Sequence, residues 1–137
     1  MYAYINYSIQ MPTPTQLRRT SQSRLTLVRL RDEVAQLIEL FLAREPLVPG
    51  TVYELRRKCG HPTCRCARGE PHASWVLSWS EGGRTRLRIV PKEKLRELRI
   101  LTQRYSRLRK ARARLVKIHR GILALIDELE RARRKEL

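Results

Sequence analysis

The chain has 137 residues, with 30 Lys and Arg against 13 Asp and Glu, a formal net charge of +17 and a sequence pI near 11.1. This length predicts one domain with a modest core, and a hydrophobic content of 42% excludes bulk disorder. No run approaches the ~18 to 20 apolar residues of a membrane span, and residues 1–16 lack the basic and apolar regions of a secretory signal. Three cysteines are too few for a disulfide framework, so we expect a reduced, cytoplasmic setting. Association with the nucleoid is compatible with that setting.

The positive charge predicts an acidic partner, because so large an excess repels itself unless something neutralises it. Nucleic acid is the abundant intracellular polyanion. Most of the basic residues are arginines, whose guanidinium groups bond phosphate with two N–H groups at once. We expect nucleic acid as the partner, DNA rather than RNA, with no membrane and no small-molecule substrate. The alternative is that the basic residues only solvate helix faces.

The N-terminal part of the chain predicts a leader followed by a helix. Residues 1–15 have no periodicity and read as a flexible leader in which Met11 is an alternative start. Over residues 16–45 the apolar positions recur at steps of three and four, the spacing of one helix stripe. Pro46, Pro49 and Gly50 then end the helix.

Residues 50–90 predict a small antiparallel sheet around a Cys-rich loop. A short strand is expected over residues 51–58, and two further strands, 74–80 and 84–90, flank a Gly82-Gly83 hairpin turn. A three-residue loop closed by Gly83 separates apolar from charged positions most cleanly, so we favour that register. It pairs Trp79 with Thr85, Leu77 with Leu87 and Trp75 with Ile89. The opposite, exposed face would then carry a stripe of arginines, namely Arg84, Arg86 and Arg88.

Residues 91–137 predict one long basic helix with a heptad stripe, interrupted at most at Gly121. Such a stripe packs as a helical hairpin or a coiled coil, against the first helix, a second copy or a partner protein. The candidate oligomerisation residues are Leu101, Leu108, Leu115, Ile118, Ile122, Leu125 and Leu129. The fold class expected for the whole chain is therefore α+β: an N-terminal helix, a small sheet with a zinc knuckle and a long C-terminal helix.

The chemically informative segment is the loop between the first two strands. Cys59, Cys64, Cys66 and His72 supply three thiolates and an imidazole, the ligand set of a closed structural zinc site. His61 is a competing fourth ligand, although it lies very close to Cys59 in sequence. Reduced thiols without metal, or an iron–sulfur or redox role, are the alternatives. A closed site leaves no position for substrate, so the zinc expected here is structural.

Four sequence features follow one another between residues 50 and 108. They are the run Cys-Gly-x-Pro-x-Cys-x-Cys-Ala-x-Gly-x-x-His, the aromatic strand, Glu-Gly-Gly-Arg-Thr-Arg and Val-Pro-Lys-Glu. This order resembles an uncharacterised family, a domain of unknown function, of small basic bacterial and archaeal proteins that often accompany transposases. The resemblance implies that Cys59, Cys64, Cys66 and His72 match the family's cysteine and histidine positions. Directly after His72, members of that family usually have Gly-Pro and an aromatic residue, whereas this chain has Ala73-Ser74-Trp75. The resemblance implies a mobile-element context and no enzymatic activity.

No catalytic motif is present: the sequence has no P-loop, no H-E-x-x-H and no Gly-x-Ser-x-Gly. We expect that the protein is not an enzyme. We expect an accessory protein that contacts the phosphate backbone of nucleic acid with little sequence specificity. The alternative is a coiled-coil assembly module that forms a homodimer or docks on a transposase-like protein. The basic residues expected at nucleic acid are Arg65, Arg68, Arg84, Arg86, Arg88, Arg99, Arg104, Arg107, Arg109, Lys110, Arg112, Arg114, Lys117 and Arg120.

Overall fold

The computed structural model describes residues 11–134; most of the expected leader, residues 1–10, and the last three residues lie outside the described residues. The described chain contains helix α1 (Pro14–Leu42), strands β1 (Thr51–Arg57), β2 (His72–Glu81) and β3 (Arg84–Ile89), and helix α2 (Lys92–Arg131). The expected α+β fold is thereby confirmed. The helix α2 continues through Gly121 without a break. No helix in the described range has both the length and the hydropathy needed to cross a membrane.

The chain divides into two compact units. Within the described residues, the helical unit combines residues 11–42 with residues 111–134, and the sheet unit comprises residues 43–110.

The start of α1 is fixed by a capping box. The Gln16 backbone N–H donates to Thr13 Oγ1 at 3.2 Å, and the Thr13 backbone N–H donates to Gln16 Oε1 at 2.8 Å. These reciprocal bonds satisfy donors that the first turn of a helix leaves without partners. Pro14 suits the first helical position because it has no N–H to satisfy.

In the helical unit, α1 packs antiparallel on the second half of α2. Ile118 and Ala111 are buried, with 2% and 5% of their surface exposed. Two ion pairs join the helices, Arg19 to Glu128 and Arg114 to Glu33, and Glu33 receives hydrogen bonds from two nitrogens of Arg114 at 2.5 and 2.8 Å. The hydrogen bonds from Arg114 favour the charged carboxylate, so they hold the pKa of Glu33 below its ordinary value.

Gly121 lies in the middle of α2 and faces Leu30. A Cβ added to Gly121 would lie 3.6 Å from Leu30 Cδ1, an ordinary van der Waals contact. Alanine should therefore fit and stabilise α2, because glycine costs about 0.5–1 kcal/mol relative to alanine inside a helix. We expect Gly121→Ala to raise the free energy of unfolding by about that amount in urea denaturation.

The matched control is Ala124→Gly, which makes the reverse exchange at an exposed position on the same helix and should lower the free energy of unfolding by a similar amount. A loss of stability in Gly121→Ala would mean that α1 and α2 cannot accommodate one added methyl group at this contact.

The sheet unit contains one antiparallel sheet in the order β1-β2-β3. The pairing of β2 with β3 shows that the favoured hairpin register is wrong. Trp79 lies opposite Arg86 and Leu77 opposite Arg88, whereas Leu87 lies opposite Ser78 and Ile89 opposite Val76. The turn consists of two residues, not three, so every β3 side chain faces the other side of the sheet from the one expected.

Turn geometry decides this register. Gly82 and Gly83 have φ values of 55° and 74°. Two consecutive positive φ angles are typical of the two-residue type I′ turn, whose twist matches that of the flanking strands. The resulting mixture of apolar and charged side chains on one face is tolerated because β3 is an edge strand, where long arginine side chains reach water past their neighbours.

The first half of α2 lies against the face of the sheet that carries Trp75. The Arg99 guanidinium stacks over the Trp75 ring, 4.4 Å from its centroid. Val48 N–H donates to the Leu101 carbonyl at 3.2 Å, and Val90, directly after β3, is buried with 4% exposure. Because Arg84, Arg86 and Arg88 share the face of Trp75, they lie on the side of the sheet where α2 packs.

Candidate metal centre

Strand pairing brings the two ends of the Cys-rich loop together. Arg57, the last residue of β1, lies directly opposite His72, the first residue of β2. Cys59 follows β1 by two residues, so the sheet itself holds Cys59 close to His72. Residues 58–71 then have to form a compact loop that returns to its starting point.

Turns within the loop direct the other two cysteines towards the same point. Cys64 N–H donates to the His61 carbonyl at 3.2 Å, and a single 3₁₀ turn, Arg65–Arg68, follows. Gly69 ends this turn with a φ of 117°, a left-handed conformation that favours glycine. The motif positions Gly60, Pro62, Gly69 and Pro71 therefore shape a loop in which Cys64 and Cys66 lie on the inside.

The ligating atoms of Cys59, Cys64, Cys66 and His72 all lie within 4.8 Å of one another. The sulfurs of Cys59 and Cys66 are 3.3 Å apart, and Cys64 Sγ lies 3.2 Å from His72 Nε2. All three cysteines are free, so no disulfide accounts for their proximity. Among the described residues, this cluster includes His72 and not His61.

This arrangement can hold a metal ion. Two sulfurs bound tetrahedrally at ~2.3 Å from zinc would be separated by about 3.8 Å, which is close to the separations in the cluster. The Cys59 backbone N–H also donates to Cys66 Sγ at 3.3 Å. A hydrogen bond of this kind stabilises a thiolate ligand from outside the metal shell. Sequence reasoning had no signal for this bond, because it depends on the path of the loop.

The site lies at the surface of the sheet unit but is not evenly exposed. Cys66 is buried with 1% exposure, Cys64 is half-buried, and Cys59 and His72 are exposed. Arg65 and Arg68 lie in the 3₁₀ turn and are both exposed, and Arg65 pairs with Glu70 at 3.3 Å. Cys66 is thus the ligand whose side chain is most integrated into the packing of the loop.

Several basic residues that are expected at nucleic acid also make contacts within the protein. Arg99 covers Trp75, Arg104 donates to the Pro46 carbonyl at 3.2 Å and Arg114 pairs with Glu33. Arg86 forms an ion pair with Glu81 at 3.2 Å. These roles depend on tertiary contacts, so charge patterning alone could not separate them from free basic residues.

The remaining candidates are exposed and, within residues 11–134, have no carboxylate within ion-pair distance. They are Arg68, Arg84, Arg88, Arg107, Arg109, Lys110, Arg112, Lys117 and Arg120.

The stripe predicted for oligomerisation contributes to packing within the chain. In the helical unit Ile118 is buried and Leu115, Ile122, Leu125 and Leu129 are half-buried beside α1. In the sheet unit Leu101 and Leu108 are half-buried, and the Leu101 carbonyl bonds the chain that follows α1. Oligomerisation through these residues stays a prediction.

Comparison with curated proteins and with solved structures found no match. A family model described as "Domain of unknown function (DUF6788)" matches residues 19–100, which span the metal cluster and the whole sheet. The match covers more than half of the chain, and the protein therefore belongs to the DUF6788 family.

Proposed function

We propose that this protein binds nucleic acid, DNA rather than RNA, through the phosphate backbone and with little sequence preference, as a non-enzymatic accessory of a mobile-element or transposase system. One observation carries this proposal: α2 bears exposed basic residues along a segment from Leu98 to Ile126 that contains no acidic residue. The mobile-element context rests on the family resemblance of the Cys-rich motif and the hairpin.

Repulsion among the free basic residues lowers the stability of α2 when no anionic partner is bound. Arg109 and Arg112 are three residues apart, as are Lys117 and Arg120, and residues at this spacing are neighbours on a helix surface. Each like-charge pair costs about 0.2–0.5 kcal/mol. Bound phosphate groups would convert this repulsion into attraction and release the counterions of the nucleic acid.

The hairpin adds basic groups to the sheet unit. Arg84 and Arg88 are exposed and lie on the side of the sheet where α2 packs. Alternate residues of a strand are about 6.6–6.8 Å apart, close to the spacing of successive phosphates, so Arg84 and Arg88, four residues apart, are separated by about two such spacings. The observed register therefore supports joint binding of nucleic acid by the hairpin and the first half of α2. Arginines on the other face of the sheet would point away from α2.

We assign zinc to the metal centre. Three thiolates and one imidazole are the ligands of closed structural zinc sites, and no position is left for a substrate. Zinc with three thiolates carries a net charge of about −1, which the basic residues Arg57, Lys58, Arg65 and Arg68 in and beside the loop would offset. The role of the metal is then to hold the loop and the first two strands in place.

A binding experiment tests the proposal. Fluorescence anisotropy of the full chain at about 100 mM salt, with duplex DNA, single-stranded DNA and RNA of arbitrary sequence, should detect binding that weakens steeply as salt is added. Absence of binding to all three probes would overturn the proposal.

The hairpin contribution can be measured separately. The double variant Arg84→Gln/Arg88→Gln should lower the slope of log K against log salt by about two, because each lost phosphate contact removes about one unit. Arg86→Gln is the matched control on the same strand, and we expect a smaller change because Glu81 already neutralises Arg86. An unchanged slope in the double variant would remove the hairpin from the binding surface.

A further inference from the structure

We propose that the outer face of the sheet, the face turned away from Trp75 and α2, is a self-association surface that binds the same face of a second copy of this chain. Strand register defines this outer face, which includes Thr51, Tyr53, Val76, Thr85, Leu87 and Ile89.

The outer face carries exposed apolar side chains on both edge strands. Ile89 is 64% exposed, Leu87 52% and Tyr53 38%, and they surround Val76, which is buried with 2% exposure. Sheets with one free face normally present polar residues to water, in alternation with the apolar residues that face the core. Here both faces of the sheet carry apolar residues, so the outer face is built to be covered.

The lack of charge on most of the outer face favours a second copy of the chain as the binding partner. Apart from its end at Arg57 and His72, the outer face carries no charged residue, in a chain in which 31% of residues are charged. The charged residue of this face, Arg57, lies opposite His72 at the end beside the metal centre. A polyanion gains nothing from an uncharged surface, whereas an identical uncharged face is complementary to it.

Exposed apolar residues that adjoin basic residues on the helices offer a poorer surface to a second copy. Leu25, Val28 and Val116 are 66%, 46% and 41% exposed, but each adjoins a basic residue on its helix. Contact between two copies through those helix surfaces would bring positive charges together, at a cost that grows with the net charge of +17 on each copy. The apolar part of the outer face allows two copies to meet without placing basic side chains directly against one another.

The area available fits a weak dimer. The exposed fractions on the outer face correspond to roughly 500 Å² per copy, so roughly 1,000 Å² in a two-fold dimer, at the lower limit for specific interfaces. We expect a reversible dimer with a dissociation constant in the micromolar range.

Sedimentation equilibrium of the full chain, with reductant and zinc, tests the proposal at concentrations up to about 100 µM. The wild type should dimerise, and Leu87→Glu should weaken dimerisation about tenfold or more, because it places two negative charges within one interface. Gln103→Glu, which introduces the same side chain at an exposed position on α2, should leave the dimer unchanged. A monomeric wild type, or a Leu87→Glu variant that dimerises as tightly as the wild type, would overturn the proposal.

A charge-swap mixture tests whether the same face of both copies is used. Leu87→Glu and Leu87→Lys should each be largely monomeric alone and should form a heterodimer when mixed, since their opposite charges then meet. Failure of the mixture to associate would contradict a face-to-face dimer. If Leu87→Glu loses the circular dichroism of the wild type, Thr85→Glu and Thr85→Lys carry the same test at an exposed polar position of the same strand, where substitution costs little stability.

Discussion

Cys66→Ser is expected to abolish tight metal binding and to unfold the loop between β1 and β2. Cys66 is the one buried ligand, with 1% exposure, and its sulfur also accepts the Cys59 N–H. Metal binding at sites of this kind supplies folding free energy directly, on the order of 10 kcal/mol for small zinc modules. Loss of one thiolate should therefore remove most of the stability of the sheet unit.

The measurement combines zinc content by atomic emission with chemical denaturation. We expect about one zinc per wild-type chain, far less in Cys66→Ser, and a wild-type unfolding transition that shifts to lower denaturant when a chelator removes the metal. His61→Ala is the matched control, because His61 lies outside the ligand cluster and its loss should change neither quantity. A wild-type chain that contains no metal and is insensitive to chelator would contradict the zinc assignment.

Neutralising three free basic residues of α2 should have the second large effect. The triple variant Arg112→Gln/Lys117→Gln/Arg120→Gln removes side chains that have no carboxylate partner in the described chain. Each phosphate contact contributes a slope of about 0.9 in log K against log salt, so three lost contacts should lower affinity by about two to three orders of magnitude at ~100 mM salt.

The matched control makes the same change of net charge at residues already in ion pairs. Arg31→Gln/Arg56→Gln/Arg134→Gln removes the partners of Asp32, Glu54 and Glu130. If only the overall charge matters, both triple variants should lose the same affinity. We expect the control to lose much less, because those arginines are already neutralised by neighbouring carboxylates.

Sequence patterns predicted the large elements well because each left a local signal. The three-and-four spacing of apolar positions over residues 16–45 predicted α1, and the heptad stripe predicted α2. The four metal-cluster residues were predicted together, since a ligand set at short spacing restricts the path of its own loop. Element boundaries differ by a few residues, as for α1, which begins at Pro14.

The hairpin register could not be predicted from apolar pattern alone. Segregation of Trp75, Leu77 and Trp79 from the arginines favoured a three-residue loop, but the conformational preference of Gly82-Gly83 for a two-residue turn determined the pairing. Likewise, nothing local distinguishes Arg114 from Arg112. Only the approach of α1, which brings Glu33 to Arg114, separates an arginine that binds within the protein from one that is free.

The salt dependence of nucleic-acid binding tests the proposed function most directly. Zinc-loaded wild-type protein should be titrated with two duplexes of unrelated sequence at several salt concentrations. We predict a steep linear fall of log K with log salt, with the same slope and nearly the same affinity for both duplexes. A slope near zero, or binding to one duplex alone, would contradict a protein that recognises the phosphate backbone through its free arginine and lysine residues.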